Sequence, residues 1–416
     1  MKFRNEKHFV GLCLVVVTLC FAPHEGRAVA ANQYKVLHNF VYANGDGYAP
    51  EATLVFDGKG NLYGTTVAGG IACEPPGCGI VFELSPESNG NWNENALHEF
   101  DRSDGSFPAS PLTFDGSGNL YGSTAYGGSA GNGTVFELTP RTDGVWNAIV
   151  LHSFTGGLDG GNPLSGIALD ASGHLYGTAS AGGLNLGGVA FSLTDGSLPG
   201  ASVLHSFGGI DDGAQPSGSM ASDGSGHYYG TTWAGGAYQL GSVFELARNP
   251  ISGSWTETLV YSFAGRDGTN PYGGVILDAA GNLYGTTWSG GAYGGGAVFA
   301  LRPNPDGTWT ESLLHSFTGG DDGGSPYAGV TLDLFGNLYG TTNSGGTGRH
   351  GTVYRLTSMP NGTWAETVLY SFTGRLDGGW PVGGVVLDDQ GNVYGTTVMG
   401  GIGGIEEGGV VFEITP

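Results

Sequence analysis

The chain has 416 residues, a net charge of −23 and only 12% charged side chains. Such an acidic protein is a poor nucleic-acid binder, because phosphate binding needs clustered basic residues. Few charges also mean that glycine, small polar and aromatic residues must cover most of the surface.

The first thirty residues have the features of an export signal. Three basic residues among the first seven precede an apolar run over residues 10–22, which is too short to span a bilayer. A small-x-small motif at residues 28–30 then offers a cleavage site. We therefore predict a signal peptide over residues 1–30, a single mature domain over residues 31–416, and a secreted or periplasmic location. We expect no membrane span.

The mature region contains two cysteines, Cys73 and Cys78, in the segment CEPPGC. In an exported protein this spacing predicts one small disulfide that staples a loop. A metal pair is the alternative, but no second pair of ligands completes a zinc site.

One motif, GNLYGTT, recurs with small changes along the chain. Its tyrosine stands at positions 63, 121, 176, 229, 284, 339 and 394, at intervals of 53 to 58 residues. A fixed period of this size indicates an array of one supersecondary unit.

Each unit holds four strand-like segments, which we call A to D. In the fifth unit they read GGVILD, GNLYGTT, GAVFALRP and WTESLLHSF. Valine, threonine and aromatic residues dominate, and no amphipathic helical pattern lies between them. Four strands per unit are typical of a propeller blade, so we predict an all-β, seven-bladed β-propeller.

Two repeated turns contain fourteen of the 37 acidic residues. An Asp-x-x-Gly-Asn turn joins A to B, and an Asp-Gly-x-x-Pro segment joins D to the next A. The A–B turns start at Asp57, Asp115, Asp170, Asp223, Asp278, Asp333 and Asp388. The D–A segments start at Asp46, Asp104, Asp159, Asp212, Asp267, Asp322 and Asp377. Sevenfold repetition favours a structural role for these aspartates over a catalytic one.

The two ends of the repeat array complement each other. Residues 34–40 match strand D with no A, B or C before them, and residues 409–414 match strand C with no D after them. The N-terminal strand can therefore complete the last blade and remove two open sheet edges.

The recurring GNLYGTT, followed by GG and GTVFEL, resembles the GloVer tandem repeat of the "choice-of-anchor" exported bacterial proteins. The resemblance covers nearly the whole mature chain. It implies export and repeat architecture, and it supplies no activity or catalytic residues. Members of that group often end in a sorting or anchoring segment, and we expect no such segment here.

Strand D repeats two further side-chain positions. Histidine, or tyrosine in two units, occupies one of them, and we expect it to pack or to form a hydrogen bond within the blade. Tryptophan stands eight residues before the strand-D phenylalanine in five units, which predicts packing between blades. Repetition therefore argues against a Ser-His-Asp triad or a histidine-rich metal centre.

Aromatic residues also concentrate in the B–C and D–A connections. Antiparallel strand order places both kinds of connection on one face of the propeller. Aromatic rings beside amides and carboxylates can stack on sugars and bind their hydroxyls. We therefore predict an exported binding module for carbohydrate or another cell-surface or extracellular partner, unless the loops merely pack their own rings. The predicted binding residues are Trp233, Trp288, Trp380, Tyr48, Tyr272, Tyr327 and Glu74.

The B–C loops of blades 1 and 7 are longer than the others, and blades 6, 7 and 1 carry charges that the repeat does not explain. These candidate catalytic residues are His350, Arg349, Glu51, Glu406 and Glu407. Two carboxylates support glycoside hydrolysis, and an arginine with a histidine or tyrosine base supports a polysaccharide lyase. A glycan-degrading enzyme over blades 6, 7 and 1 is thus the alternative to a binder, and a solvated charged rim is the simplest explanation.

A third hypothesis is a Ca²⁺-stabilised scaffold. The pairs Asp211-Asp212 and Asp321-Asp322 offer the hard oxygen ligands that Ca²⁺ prefers. Turn capping accounts for one aspartate of each pair without an ion, so we predict no cofactor. We expect a monomer.

Overall fold

The computed structural model describes residues 32–41, 45–194, 200–209, 211–402 and 408–416. The described part contains strands and turns but no helix, and hence no helix that could span a membrane. The predicted signal peptide lies outside the described residues.

Seven antiparallel sheets of four strands form the blades of a β-propeller, as the repeat predicts. The A strands are Val55–Phe56, Thr113–Phe114, Ala168–Leu169, Ala221–Ser222, Ile276–Leu277, Thr331–Leu332 and Val386–Leu387. The B strands are Leu62–Thr66, Leu120–Thr124, His174–Ala179, His227–Gly235, Leu283–Thr287, Leu338–Thr342 and Val393–Thr397. The C strands are Ile80–Pro86, Thr134–Pro140, Val189–Thr194, Ser242–Arg248, Ala297–Pro303, Thr352–Ser358 and Val410–Thr415. The D strands are Trp92–Glu99, Trp146–Ser153, Ser202–Ser206, Trp255–Ser262, Trp309–Ser316, Trp364–Ser371 and, in blade 7, Gln33–Asn39.

Three further strands of two to four residues lie in the connections. Gly47–Tyr48 pairs with Ala68–Gly69, and Gly213–Pro216 pairs with the end of the long B strand of blade 4.

The N-terminal strand closes the ring, as predicted. Gln33–Asn39 pairs antiparallel with Val410–Thr415, so the first strand of the domain becomes strand D of the last blade. Tyr34 stacks on Tyr370 of blade 6, with ring centroids 4.0 Å apart. Phe40 is fully buried against Phe82 of blade 1. This one strand therefore touches both neighbouring blades.

Aromatic pairs repeat at every blade interface. The strand-D phenylalanine of one blade meets the strand-C aromatic ring of the next, with centroids 4.9–5.2 Å apart. The strand-C ring also covers the second glycine of GNLYGTT in its own blade. A Cβ added at Gly64 would lie 2.5 Å from the Phe82 ring, so glycine is required there. Each such aromatic pair contributes about 0.5–1.5 kcal/mol beyond its buried area.

The five strand-D tryptophans pack between blades, as their spacing predicts. Each lies 5.6–6.5 Å from the strand-B tyrosine of the preceding blade, measured between ring centroids. Strand-D histidines face the aspartate of the following D–A segment, and His98 Nε2 lies 2.8 Å from Asp104 Oδ2. The repeated histidines and aspartates are therefore part of the scaffold.

The residue before the D–A proline has a left-handed backbone in all seven blades, with φ between 52° and 61°. Its N–H donates to a carbonyl in the B–C loop of the preceding blade, at 2.7–3.0 Å. In six blades its own carbonyl accepts the N–H of the residue that follows strand B. Non-glycine residues seldom adopt this conformation, and these two hydrogen bonds fix it. These hydrogen bonds therefore join the connections of neighbouring blades on one face, all around the ring. These seven residues are Ala49, Phe107, Asn162, Gln215, Asn270, Ser325 and Trp380.

Candidate functional site

The residue after each D–A proline faces the centre of the propeller. All seven of these residues line one cavity of about 520 Å³, which we call the mouth cavity. Its remaining lining is mostly backbone and small side chains of the A strands and the segments before them. Its size suits a small organic ligand or a few sugar units. The mouth-cavity ring consists of Glu51, Ala109, Leu164, Ser217, Tyr272, Tyr327 and Val382.

Among the residues that the structure describes, Glu51 is the only charged one in the lining of the mouth cavity. Its carboxylate has no hydrogen-bond or ion-pair partner among the described residues. Burial raises the pKa of Glu51 to about 7, because a desolvated carboxylate favours its neutral form. An acid with this pKa can bind a cation, accept a hydrogen bond or donate a proton near neutral pH.

Four aromatic residues from blades 4 to 6 form one contiguous cluster beside the cavity. Tyr272 and Tyr327 lie 5.2 Å apart, and Trp233 lies 5.8 Å from Tyr272, between ring centroids. Trp288 contacts Trp233 at 5.5 Å and Tyr327 at 6.3 Å. The two tyrosines line the cavity, whereas the two tryptophans pack behind them. The tryptophans therefore hold the tyrosine rings in place.

Tyr272 and Glu51 line the same cavity although they belong to blades 5 and 1. Burial raises the pKa of Tyr272 to about 12, and the charges of Glu51, Tyr327 and Tyr126 add to this rise. Tyr126, from blade 2, is half exposed. Within the described part of the chain, neither the Tyr272 nor the Tyr327 hydroxyl has a hydrogen-bond partner. Both hydroxyls are available to a ligand in the cavity.

His350 and Trp380 form a second aromatic pair, with ring centroids 4.8 Å apart. His350 Nδ1 lies 2.7 Å from the Gly348 carbonyl oxygen, and Arg349 is exposed with a φ of 64°. None of these three side chains is in the lining of the mouth cavity. The structure therefore does not bring Arg349 or His350 together with Glu51 in that cavity.

Two other predicted binding residues lie in blade 1. Tyr48 packs in a small apolar cluster with Val67 and Phe107. Glu74 is exposed in the B–C loop, where a disulfide joins Cys73 to Cys78 as predicted. The loop carbonyl of Cys78 accepts the Phe107 N–H at 3.0 Å. Glu406 and Glu407 lie outside the described residues, so the catalytic hypothesis for them stays a prediction.

Three side chains at the blade 3–4 interface have the chemistry of metal ligands. One ligand atom from each of His205, Asp212 and Glu257 lies within 4.8 Å of the other two. Both carboxylate oxygens of Asp212 already have partners within the fold. Its Oδ1 accepts the Gly213 N–H at 2.7 Å, and its Oδ2 lies 3.0 Å from His205 Nε2. The Ca²⁺ hypothesis therefore stays a prediction.

Sequence reasoning missed that the position after the D–A proline faces the centre in every blade. It selected Glu51, Tyr272 and Tyr327, but not Ser217, which shares their position, or Asn343, which also lines the cavity. The seven repeats form an internal alignment, and the residue after proline is one of its most variable columns. This variability in the sequence could have identified the position after proline as a candidate ligand contact.

A family model described as the Gloeobacter/Verrucomicrobia repeat matches residues 27–183, 146–319 and 304–416. No curated protein sequence matches the chain. Among solved structures, an ancestral GH74 enzyme is 13% identical with a TM-score of 0.54, over 92% of this chain and 51% of its own. A protein of unknown function from Dyadobacter fermentans is 14% identical with a TM-score of 0.46, over 92% and 99%. A luciferin-regenerating enzyme is 14% identical with a TM-score of 0.44, over 93% and 96%.

These structural likenesses concern the fold alone. The chain spans about half the length of the GH74 enzyme that it matches. At 13–14% identity the neighbours supply no site residues for this chain.

Proposed function

The chain belongs to the Gloeobacter/Verrucomicrobia repeat family, and we propose that it is an exported carbohydrate-binding propeller whose ligand sits in the mouth cavity. The observation that carries this proposal is the convergence of Tyr272, Tyr327 and Glu51 on a cavity of about 520 Å³. Tyrosine rings stack on the apolar faces of sugars, while free hydroxyls and a carboxylate bind sugar hydroxyls.

Export is part of the same proposal. The basic and apolar start of the chain is typical of a signal peptide. The disulfide between Cys73 and Cys78 suits an oxidising compartment. Periplasmic and fully extracellular locations both fit these two features.

Binding is favoured over hydrolysis by the number of carboxylates. Hydrolysis with two carboxyl groups needs the second within about 10 Å of the first. In the part of the chain that the structure describes, the cavity lining has one carboxylate, Glu51. A single carboxylate can orient a ligand without cleaving it.

The test is calorimetric titration of the mature protein with a panel of soluble oligosaccharides. Replacing Tyr272→Ala removes a stacking ring, so we expect the affinity for a bound glycan to fall at least about tenfold. Phe335→Ala is the matched control, because Phe335 is 90% exposed in an A–B turn on the opposite face. If no glycan binds, or if both variants bind like the parent, the mouth cavity is not a carbohydrate site.

Glycan cleavage is the second candidate function, and the pKa of Glu51 near 7 favours it. A carboxyl group that keeps its proton at neutral pH can act as a general acid. The same panel should therefore be assayed for released reducing and unsaturated ends. Product that forms with the parent protein and disappears in Glu51→Gln would identify an enzyme.

A further inference from the structure

We infer that the ligand of the mouth cavity is a glycan with free amino groups, whose ammonium group pairs with Glu51. This inference rests on the proposed carbohydrate function and names the chemical class of the sugar. Among the described residues, the mouth cavity has one carboxylate in its lining and no other charged side chain.

Within the described ranges of the chain, Glu51 has no ion-pair partner, and the lining of the mouth cavity contains no lysine, arginine or histidine. Some carboxylates of the scaffold have fixed partners: Glu83 accepts the Tyr63 hydroxyl at 2.7 Å, and Glu413 accepts the Tyr394 hydroxyl at 3.1 Å. Buried carboxyl oxygens without a partner in the described part of the chain also occur on Glu94, Glu257, Glu311 and Glu366. Glu51 differs from these four because it lines the mouth cavity, where a ligand can reach it. A desolvated carboxylate without a partner is unfavourable in its charged form, and the ammonium group of a ligand would stabilise that form.

The fold does not require a carboxylate at this position. In the other six blades, alanine, leucine, serine, valine or tyrosine follows the same proline. The scaffold accepts small, branched and aromatic side chains there. Since Glu51 is replaceable in the repeat, its charge is best explained by what enters the cavity.

The surroundings of Glu51 suit an organic cation. Tyr272 and Tyr327 line the same cavity as Glu51, and their rings pack together at 5.2 Å between centroids. An aromatic face and a carboxylate together attract an ammonium group through cation–π and charge-assisted contacts. The net charge of −23 also raises the local concentration of cations around the protein.

A metal ion fits the cavity less well than an ammonium group. Ca²⁺ takes six to eight oxygen ligands, and other divalent ions also need several protein donors. Among the described residues, the side chains that line the cavity offer one carboxylate, six hydroxyls and one amide, so a metal ion there would depend mostly on neutral donors such as hydroxyls and backbone carbonyls. An amino sugar uses this set fully, because its ring can stack on tyrosine while its ammonium group reaches Glu51.

The experiment compares two ligands that differ only at nitrogen. Glucosamine oligomers and N-acetylglucosamine oligomers of equal length are titrated into the mature protein by calorimetry at mildly acidic pH, where the free amines are protonated. We expect the amine form to bind at least about tenfold more tightly, a typical gain for a charge-assisted contact. Binding of the amine should also release protons from Glu51, which is measured by repeating the titration in buffers of different ionisation enthalpy.

Two variants test which carboxylate is responsible. In Glu51→Gln, the ratio of the two affinities should fall to about one and the proton release should vanish. Glu87→Gln is the matched control, because Glu87 is an exposed glutamate of the same blade on the opposite face. The control should keep both the preference and the proton release.

The outcomes separate the inference from the proposed function. Equal affinity for the two oligomers, or a preference that survives Glu51→Gln, would overturn the ammonium pairing but leave carbohydrate binding intact. Failure of every glycan in the panel, including both oligomers, would overturn the two together.

Discussion

The two faces of the propeller differ in how strictly they repeat. On the face of the A–B turns, every blade has the same aspartate, and its Oδ1 accepts backbone N–H groups within the turn. On the face of the mouth cavity, the seven residues after proline include glutamate, alanine, leucine, serine, tyrosine and valine. A feature kept seven times serves the fold, and a position that varies is free to serve a ligand.

The comparison also distinguishes two kinds of unusual residue. The left-handed residue before proline occurs in every blade, so its strain belongs to the architecture. A carboxylate directly after the D–A proline occurs in one blade only, as Glu51, and it lines the mouth cavity. If this division holds, changes to the repeated scaffold should cost more stability than changes to variable positions.

The largest expected effect is loss of ring closure. Deleting residues 32–40 removes strand D of blade 7 and leaves Val410–Thr415 as an open edge. It also removes Phe40, which is fully buried against Phe82. We expect loss of the cooperative thermal transition and aggregation, measured by calorimetry and size-exclusion chromatography. A truncated protein that melts like the mature chain would contradict closure by this strand.

The second prediction sets a repeated aromatic residue against a variable one. Phe299 is fully buried and lies 5.0 Å from Phe263 of the preceding blade, between ring centroids. Phe299→Ala should lower the free energy of unfolding by about 3–5 kcal/mol. Phe335→Ala removes a ring that is 90% exposed and should change it by less than about 0.5 kcal/mol. Urea unfolding measures both changes. Equal losses of unfolding free energy in the two variants would contradict the distinction between scaffold and variable positions.

Much of the fold could be predicted because its signals are local and repeated. The GNLYGTT period indicates seven units, the aspartate turns mark the strand ends, and residues 34–40 identify the closing strand. Each of these signals depends on residues within one blade or on the chain ends. The first two signals recur in all seven units, which makes them easy to recognise.

The site was harder to predict because it joins distant blades. Nothing in the sequence indicates that Glu51 of blade 1 and Tyr272 of blade 5 line one cavity, since this depends on the radial position of each D–A segment. Trp233 and Trp380 are both tryptophans of the connections on this face, yet one packs behind the cavity tyrosines and the other packs against His350. Composition indicated one face as the candidate binding face, and only the geometry shows which of its residues line a cavity.

The third prediction concerns the disulfide, which only blade 1 contains. It closes a short loop, since Cys73 and Cys78 are five residues apart. Replacing both by serine should lower the free energy of unfolding by about 2 kcal/mol at most. Ligand affinity at the mouth cavity should not change, because neither cysteine lines it. Thermal denaturation and calorimetric titration measure these effects, and free thiols in the exported protein would contradict the disulfide.

The smallest expected effect lies at the blade 4–5 interface. Burial, with a further contribution from the charge of Asp267, raises the pKa of Glu311 from 4.5 to about 7. The folded state therefore holds this proton more tightly than the unfolded chain does. The contribution of Glu311 to stability is full below about pH 4.5 and is lost as the pH rises through about 7.

Glu311→Gln should remove this pH dependence. Because Glu311 is partly exposed, we expect the variant to be more stable than the parent by only about 1 kcal/mol at pH 8, and equal to it at pH 4. Ala148 occupies the same strand-D position in blade 2, as its pairing with Leu138 indicates. Ala148→Glu should therefore create a similar loss of stability above pH 7 at the interface of blades 1 and 2, which has no glutamate at this position. Urea unfolding across this pH range measures both variants, and a parent that gains stability over Glu311→Gln as the pH rises would show that the interface carboxylate is paired after all.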